Sequence, residues 1–328
     1  MMSIRLWVYA AFLVIGELIV PAGVWGQGKP LPETHNAALR YWQAFAELKD
    51  PPPNQELQAE MEQILNAKAE WDEAKVGGVV AANEIALGIM QRATKLPDCD
   101  WGVEYTRGPE ASMAFVPRAH VLARLNMLQG VREMAQGHSQ AAVDAWIAGI
   151  RFAQDLTKGG SLIFALTAKS VLLQEMRTLT AEAKQGRLTK LQRKQLYSAV
   201  SALPEDGFDW GLAWEMDEAG ADVFFGELQR SQKPATLFEK LMGQAAPKDC
   251  MPPSAQQVKV YREYMSDVAS ALRLQASETK QRLADLDGKS KSICEAIRQA
   301  IPSAERVNDA RVEVVSARKD LLDALQVR

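Results

Sequence analysis

The stretch that decides the fold is PRAHVLARLNMLQGVREMAQGHSQAAVDAWIAGIRFAQDL, residues 117–156. Its apolar residues recur three and four positions apart on both sides of Gly137, which is the spacing of amphipathic helices. The pattern predicts a helix up to Gln136, a turn at Gly137-His138 and a second helix from Ser139 to Leu156. Lys158-Gly159-Gly160 then ends the second helix, because glycine readily adopts the left-handed conformation of a helix C-terminus. A helical hairpin is therefore predicted here.

The sequence on both sides of this hairpin is also helical. A third helix is predicted over residues 161–184, and Thr189 with Gln192 has the form of a capping box that starts another. Upstream, a helical pattern stops at prolines 51–53, which lack amide donors. No segment shows the sustained alternation of a strand. We therefore expect an all-α protein in which residues 27–250 form stacked antiparallel helix pairs.

Residues 251–328 are predicted to form a long C-terminal helical hairpin. One apolar seam runs through the segment 256–286, a turn follows at Asp287-Gly288, and a second seam begins after Pro302. Such seams are typical of helices that pack lengthwise. The alternative is an intermolecular coiled coil, in which case residues 254–328 would make the protein a homo-oligomer.

Composition excludes several classes of protein. The 328 residues carry 38 basic and 41 acidic side chains, and this net charge of -3 provides no basic excess for binding nucleic acid. With three His and three Cys, widely scattered, the chain has no Glu-x-x-His, His-Glu-x-x-His, Gly-x-Ser-x-Gly or phosphate-binding glycine motif. We therefore predict no metal site, no cofactor and no catalytic residue.

The first 26 residues are typical of an export signal. Arg5 precedes an apolar stretch from Leu6 to Val20, and small residues at Val24 and Gly26 suit cleavage after Gly26. The alternative is an uncleaved membrane anchor, but Glu17 would then lie inside the membrane at a cost of about 2.5 to 3.5 kcal/mol. We expect a protein that is periplasmic or secreted after cleavage and has no membrane span left.

Export affects how the three cysteines are interpreted, because disulfides persist outside the cytoplasm. Cys99 and Cys250 both lie in segments rich in turn-forming residues, whereas Cys294 lies in a helical pattern. We therefore expect a Cys99–Cys250 disulfide. The alternative is that all three thiols are free or buried.

Two segments are candidates for binding a partner. The longest non-helical stretch, from Pro97 to about Ala111, carries Trp101, Tyr105 and Arg107, residue types that are enriched at interfaces. Its simpler interpretation is a loop fixed in place by burial of Trp101 and Tyr105.

The second candidate is the segment 205–229, which contains eight acids and no base. Glu215, Glu218 and Asp222 share one helical face, where their mutual repulsion could be relieved by a cation or a basic partner. Its simpler interpretation is a solvated acidic flank beside an apolar stripe.

Residues 118–156 resemble one tetratricopeptide-type helix–turn–helix, in which small residues allow two helices to cross closely. Gly130 and Ala142 occupy the close-approach positions, and Trp146 the bulky one. Asn126 and several other residues depart from the pattern, and no second copy follows. Together with the export signal, the chain resembles secreted, helix-rich bacterial proteins without an assigned activity. The resemblance implies a fold and no reaction.

The function expected from the sequence is that of an exported, non-enzymatic scaffold or binding module that presents a helical groove to a protein or peptide partner. The alternative is a cell-envelope hydrolase. Asp98 or Asp100 would then work with an acid from the 215–222 cluster, since carboxylate pairs perform acid–base catalysis without a sequence signature.

Overall fold

The computed structural model describes residues 34–326, and within this range it contains fourteen α-helices and no strand. The predicted all-α fold is therefore confirmed. The helices are α1 (Ala37–Glu47), α2 (Gln55–Leu65), α3 (Gly78–Ala81), α4 (Glu84–Ala93), α5 (Val116–Ala135), α6 (Ser139–Thr157), α7 (Leu162–Lys184), α8 (Lys190–Ser201), α9 (Trp210–Arg230), α10 (Pro234–Met242), α11 (Ala255–Leu272), α12 (Ala276–Lys291), α13 (Glu295–Arg298) and α14 (Ala304–Leu325). A π-helical turn at Glu73–Gly77 precedes α3, and 3₁₀ helices cover Tyr105–Glu110 and Lys248–Cys250.

The N-terminal prediction cannot be placed on this fold. The signal peptide expected over residues 1–26 lies outside the described residues. Within residues 34–326, every helix is too short or too polar to cross a membrane.

Helices α5 and α6 form the hairpin predicted from residues 117–156. At the turn, Gly137 has a φ of 84°, and the His138 amide donates to the Glu133 carbonyl at 2.8 Å. Gly130 of α5 lies against the indole of Trp146 of α6, so closely that a Cβ at position 130 would overlap the ring. A repeated tetratricopeptide-like stack is not confirmed, because α7 packs against both α6 and the distant C-terminal helix α14.

The C-terminal segment differs from the predicted hairpin. The chain breaks at 273–275, between α11 and α12, and then continues as a helix through Gly288, where a turn was expected. The apolar seam of α14 packs against α7, and α11 packs against α9. The described residues from His35 onward form one compact unit, which spans the boundary predicted at residue 250.

A buried arginine explains where the chain breaks. Arg311 of α14 is 2% exposed, and its guanidinium donates to the Leu274 carbonyl at 2.8 Å, to the Thr279 hydroxyl at 2.9 Å and to the Asp206 carboxylate at 2.9 Å. The Thr279 hydroxyl in turn donates to the Ala271 carbonyl at 2.9 Å. Because buried polar groups need hydrogen-bond partners, this network holds the ends of α11 and α12 around the guanidinium.

The disulfide joins Cys250 to Cys294, whose Cα atoms are 6.1 Å apart, so the predicted Cys99–Cys250 pairing is wrong. The apolar neighbours of Cys294 suggested a position inside a helix. Cys294 is instead the N-cap of the short helix α13. That position lets its side chain reach the 3₁₀ turn at Lys248–Cys250, which packs against α13. Cys99 is free and half-buried, and its thiol lies 3.7 Å from the Asp155 carbonyl.

Candidate functional site

The loop predicted as a binding edge begins by pairing with the start of α1. Residues Asn36 and Asp98 form an isolated parallel bridge, in which the Ala37 amide donates to the Asp98 carbonyl at 2.7 Å. The Asn36 side chain accepts from the Asp100 amide at 2.8 Å and donates to the Asp100 carbonyl at 2.9 Å. These bonds fix the direction in which the loop leaves α1.

Trp101 is buried rather than presented to a partner. It is 5% exposed, stacks on Phe115 with ring centroids 4.4 Å apart, and lies 5.5 Å from the ring of Tyr41. Its indole N–H donates to the Asp155 carbonyl at 2.8 Å. For this residue the structure therefore agrees with the simpler interpretation, a loop held in place by burying its aromatic side chain.

Asp155 at the end of α6 connects this loop to α1. Its carboxylate accepts a 2.6 Å hydrogen bond from the Tyr41 hydroxyl and a 2.8 Å hydrogen bond from the Lys158 ammonium. Burial, followed by the nearby Asp155 charge, raises the pKa of the Cys99 thiol to about 12. The Cys99 thiol is therefore protonated at neutral pH, and the thiolate is the reactive form of cysteine.

The second half of the loop lies on α9. The Tyr105 hydroxyl donates to the Gly159 carbonyl in the connection between α6 and α7. Gly108, with a φ of 55°, approaches α9 so closely that a Cβ would lie 3.0 Å from the Val223 side chain and 3.4 Å from the Gly220 carbonyl. The sequence predicted this loop and the acidic helix as separate candidates, and the fold brings them together.

An open groove of about 440 Å³ lies along this contact. It is lined by Thr106 from the loop and by Asp222, Val223, Gly226 and Arg230 from α9. Both Thr106 and Arg230 are exposed. We call these five residues, with the adjacent exposed Arg107, the loop–α9 groove.

The acids of α9 are partly neutralised by the chain itself. Arg273, at the end of α11, forms two 2.7 Å hydrogen bonds to the Glu215 carboxylate and lowers its pKa. Arg262 of α11 donates to both oxygens of Asp222, at 3.0 and 2.8 Å. Within the described residues Glu218 has no such partner, and burial together with the neighbouring Asp222 charge raises its pKa. Two arginines of the chain itself thus relieve part of the repulsion for which a cation or a basic partner was considered.

Asp217 was missed by the sequence analysis. Its carboxylate accepts from the Leu162 amide at 3.0 Å and so caps the N-terminus of α7. Burial raises the pKa of Asp217 to about 6. Little in the sequence indicated this role for Asp217. Ser161 directly precedes α7 and is a common N-cap residue, so it was the expected cap, but its hydroxyl makes no capping bond.

Asp98 and Asp100 form their hydrogen bonds with α1 and within their own loop. In the described part of the chain, no hydrogen bond or ion pair joins either residue to the segment 215–222, and the Asp100 carboxylate accepts from Gly102 within its own loop. Nor do residues 34–326 contain a cluster of three His, Cys, Asp or Glu side chains suited to a metal ion.

Further grooves include one of about 450 Å³ between α7 and α14, which is lined by Lys184, Glu313 and Asp320 among others. Another of about 330 Å³ includes His120 and Arg124, and one of about 570 Å³ lies between α12 and α14. Comparisons of the chain with protein-family models, with curated proteins and with solved structures found no match. Function is therefore inferred from the geometry of the site alone.

Proposed function

We propose that the protein is an exported, non-enzymatic binding module that presents the loop–α9 groove to a protein or peptide partner. One observation carries the proposal: Thr106, from the loop, lines one groove with Asp222 and Arg230 of α9. The groove is open and long enough to follow a helix face for two turns, which suits an extended segment better than a small molecule enclosed in a pocket.

The chemistry of the groove supports recognition of a polypeptide. Val223 and Gly226 give it an apolar floor where backbone can approach closely, while Arg230 provides an exposed guanidinium group and the exposed Arg107 follows Thr106 in the loop. Arginine is enriched among the residues that dominate interface energies. Asp222 is already paired with Arg262, and Arg107 lies 3.7 Å from the Glu104 carboxylate of its own loop. Among the described residues, Arg230 is therefore the basic group of the groove that forms no ion pair.

The disulfide supports the proposed location outside the cytoplasm. Cys250 and Cys294 are covalently joined, and disulfides persist mainly in oxidising compartments. The signal peptide over residues 1–26 remains a prediction, and the disulfide favours it independently.

Photo-crosslinking from the groove tests the proposal. A photoreactive amino acid replaces the exposed Thr106 in the full chain, which is expressed in its own host and irradiated. A matched probe replaces the exposed Lys68, which lies outside the groove. The expected result is an adduct of defined mass from position 106 that is absent from position 68 and is lost when Arg107 and Arg230 are both changed to Glu. Adducts that are the same from both positions, or that persist in the double variant, would refute the proposal.

A further inference from the structure

A second surface has the opposite charge to the acidic helix. The segment 184–204 contains five bases and no acid, and it directly precedes the base-free segment 205–229. Three of the five bases are the exposed lysines Lys184, Lys190 and Lys194. The chain therefore concentrates positive charge on and beside α8, although its net charge is -3.

Helix α8 lies on the surface with a well-defined outer face. Gln192, Leu196 and Val200 are buried at intervals of four residues and attach the helix to the core. The opposite face carries Lys190 and Lys194 together with two large apolar side chains, Leu191 at 65% exposure and Tyr197 at 38%. Leu191 is thus an exposed apolar residue with a lysine beside it and another one turn further on.

Hydrogen bonds hold helix α8 in place, and its one arginine, Arg193, takes part in them. Thr189 and Gln192 form the predicted capping box, and Gln192 also donates to the Ser139 hydroxyl at 2.8 Å. The Arg193 guanidinium donates to the Ala324 carbonyl of α14 at 2.9 Å and to the Ala183 carbonyl of α7 at 2.5 Å. The outer face is therefore presented by a fixed helix.

The three lysines do not hold the helix in place as Arg193 does. Within residues 34–326, none of Lys184, Lys190 and Lys194 forms an ion pair, whereas Arg187 is paired with Glu182 at 2.6 Å. Unpaired lysines around an exposed leucine and tyrosine are typical of helices that lie in a membrane interface, where the apolar side chains enter the headgroup region and the ammonium groups contact anionic lipid.

We propose that the outer face of α8 binds the surface of an anionic lipid bilayer, with Leu191 entering the interface and Lys184, Lys190 and Lys194 contacting lipid phosphates. A bilayer requires no groove, and no residue of α8 lines any of the grooves described above, although Lys184, which precedes α8, lines the one between α7 and α14. An acidic protein would offer the same charge but would need a complementary depression for the protruding Leu191. This binding is independent of the loop–α9 groove.

Flotation of the full chain with lipid vesicles tests this inference. Vesicles of phosphatidylcholine with phosphatidylglycerol are compared with vesicles of phosphatidylcholine alone, at low and at physiological salt. Each lysine near an anionic membrane strengthens binding about fivefold. We therefore expect K190Q/K194Q to weaken binding about 25-fold and raised salt to weaken it further. The matched control is K68Q/K280Q, which removes two exposed lysines elsewhere and should bind as the unmodified chain does.

The Leu191→Ser variant distinguishes binding to a bilayer from binding to other polyanions. Leu191 is exposed, so the variant should keep the helical circular dichroism of the parent chain. The expected result is weaker binding to anionic vesicles with unchanged binding to soluble polyglutamate. Equal binding to both kinds of vesicle, or equal loss in the control variant, would overturn the proposal. Binding to polyglutamate without binding to vesicles would also overturn it, in favour of an acidic protein.

Discussion

Glu175 gives the most quantitative prediction. It lies in the middle of α7 and is 1% exposed, and neither carboxyl oxygen has a hydrogen-bond partner within the described residues. Its carboxyl group packs against Gly149 of α6, where a Cβ would lie 2.8 Å from the carboxyl carbon. Burial raises the pKa of Glu175 well above its ordinary value of 4.5, because the charged form is poorly solvated there. The folded protein therefore holds this side chain protonated.

The sign of the pH dependence follows from this protonation. Above pH 4.5 the unfolded chain releases the Glu175 proton while the folded chain keeps it. Folding is then coupled to proton uptake, so the free energy of unfolding falls as the pH rises. The loss is about 1.4 kcal/mol per pH unit, and it continues until the pH reaches the raised pKa of the folded state.

Glu175→Gln isolates this contribution, because the amide has nearly the same shape and does not ionise. Urea unfolding of the parent chain and of the variant, followed by circular dichroism between pH 5 and pH 8, gives the difference in unfolding free energy at each pH. We expect this difference to grow in favour of the variant by about 1.4 kcal/mol per unit at the acidic end of the range. All other titrating groups are common to both proteins and cancel.

Two controls make the experiment decisive. Glu278→Gln changes an exposed carboxylate of α12 and should leave the pH profile of stability unchanged. Glu175→Met replaces the buried carboxyl by an apolar side chain of similar volume and should stabilise the protein by roughly 1–3 kcal/mol, since an unpaired buried polar group is removed. A constant difference between the parent chain and Glu175→Gln across this pH range would refute the reasoning.

Three further predictions concern stability and are tested by the same urea titration. Reduction of the Cys250–Cys294 disulfide should lower the free energy of unfolding by roughly 3–4 kcal/mol, because the bond closes a loop across a sequence separation of 44. Alkylation of the unfolded chain without reduction should modify one thiol only, that of Cys99. Gly130→Ala should cost about 1–3 kcal/mol by forcing a methyl group into the facing indole, whereas Gly288→Ala, in open space within a helix, should gain up to about 1 kcal/mol. Tyr41→Phe should cost about 1–3 kcal/mol, since it removes a 2.6 Å hydrogen bond from a buried carboxylate.

Interactions between residues near in sequence could be predicted. The α5–α6 hairpin, its turn at Gly137 and the Thr189–Gln192 capping box all follow from side chains a few positions apart. The close approach of Gly130 to Trp146 belongs to the same class, because a hairpin fixes which residues face each other. Such features depend on helical periodicity and backbone preference, which a single sequence contains.

Interactions between distant residues could not be predicted. The break before α12 depends on Arg311, whose guanidinium reaches a carbonyl 37 positions earlier in the chain. Asp217 caps α7 by accepting a hydrogen bond from the Leu162 amide, which lies 55 positions earlier in the chain. Cys294 pairs with Cys250 because α13 begins at that residue, and a four-residue helix leaves little periodicity to detect. In each case the deciding partner is set by how helices pack, so the local pattern is ambiguous.

The same distinction changes which charges are expected to act on a partner. Glu215 and Asp222 form the most conspicuous acidic feature of the sequence, yet α11 supplies an arginine to each, so much of their charge is balanced within the fold. The lysines of α8 are less conspicuous, but they form no ion pair with any residue that the structure describes and lie beside an exposed leucine. Surface ion pairs contribute little to stability, whereas unpaired charges at a fixed position create the field that a partner meets. Charge clusters in the sequence therefore indicate where to look, and the pairing in the fold decides which of them remain available for binding.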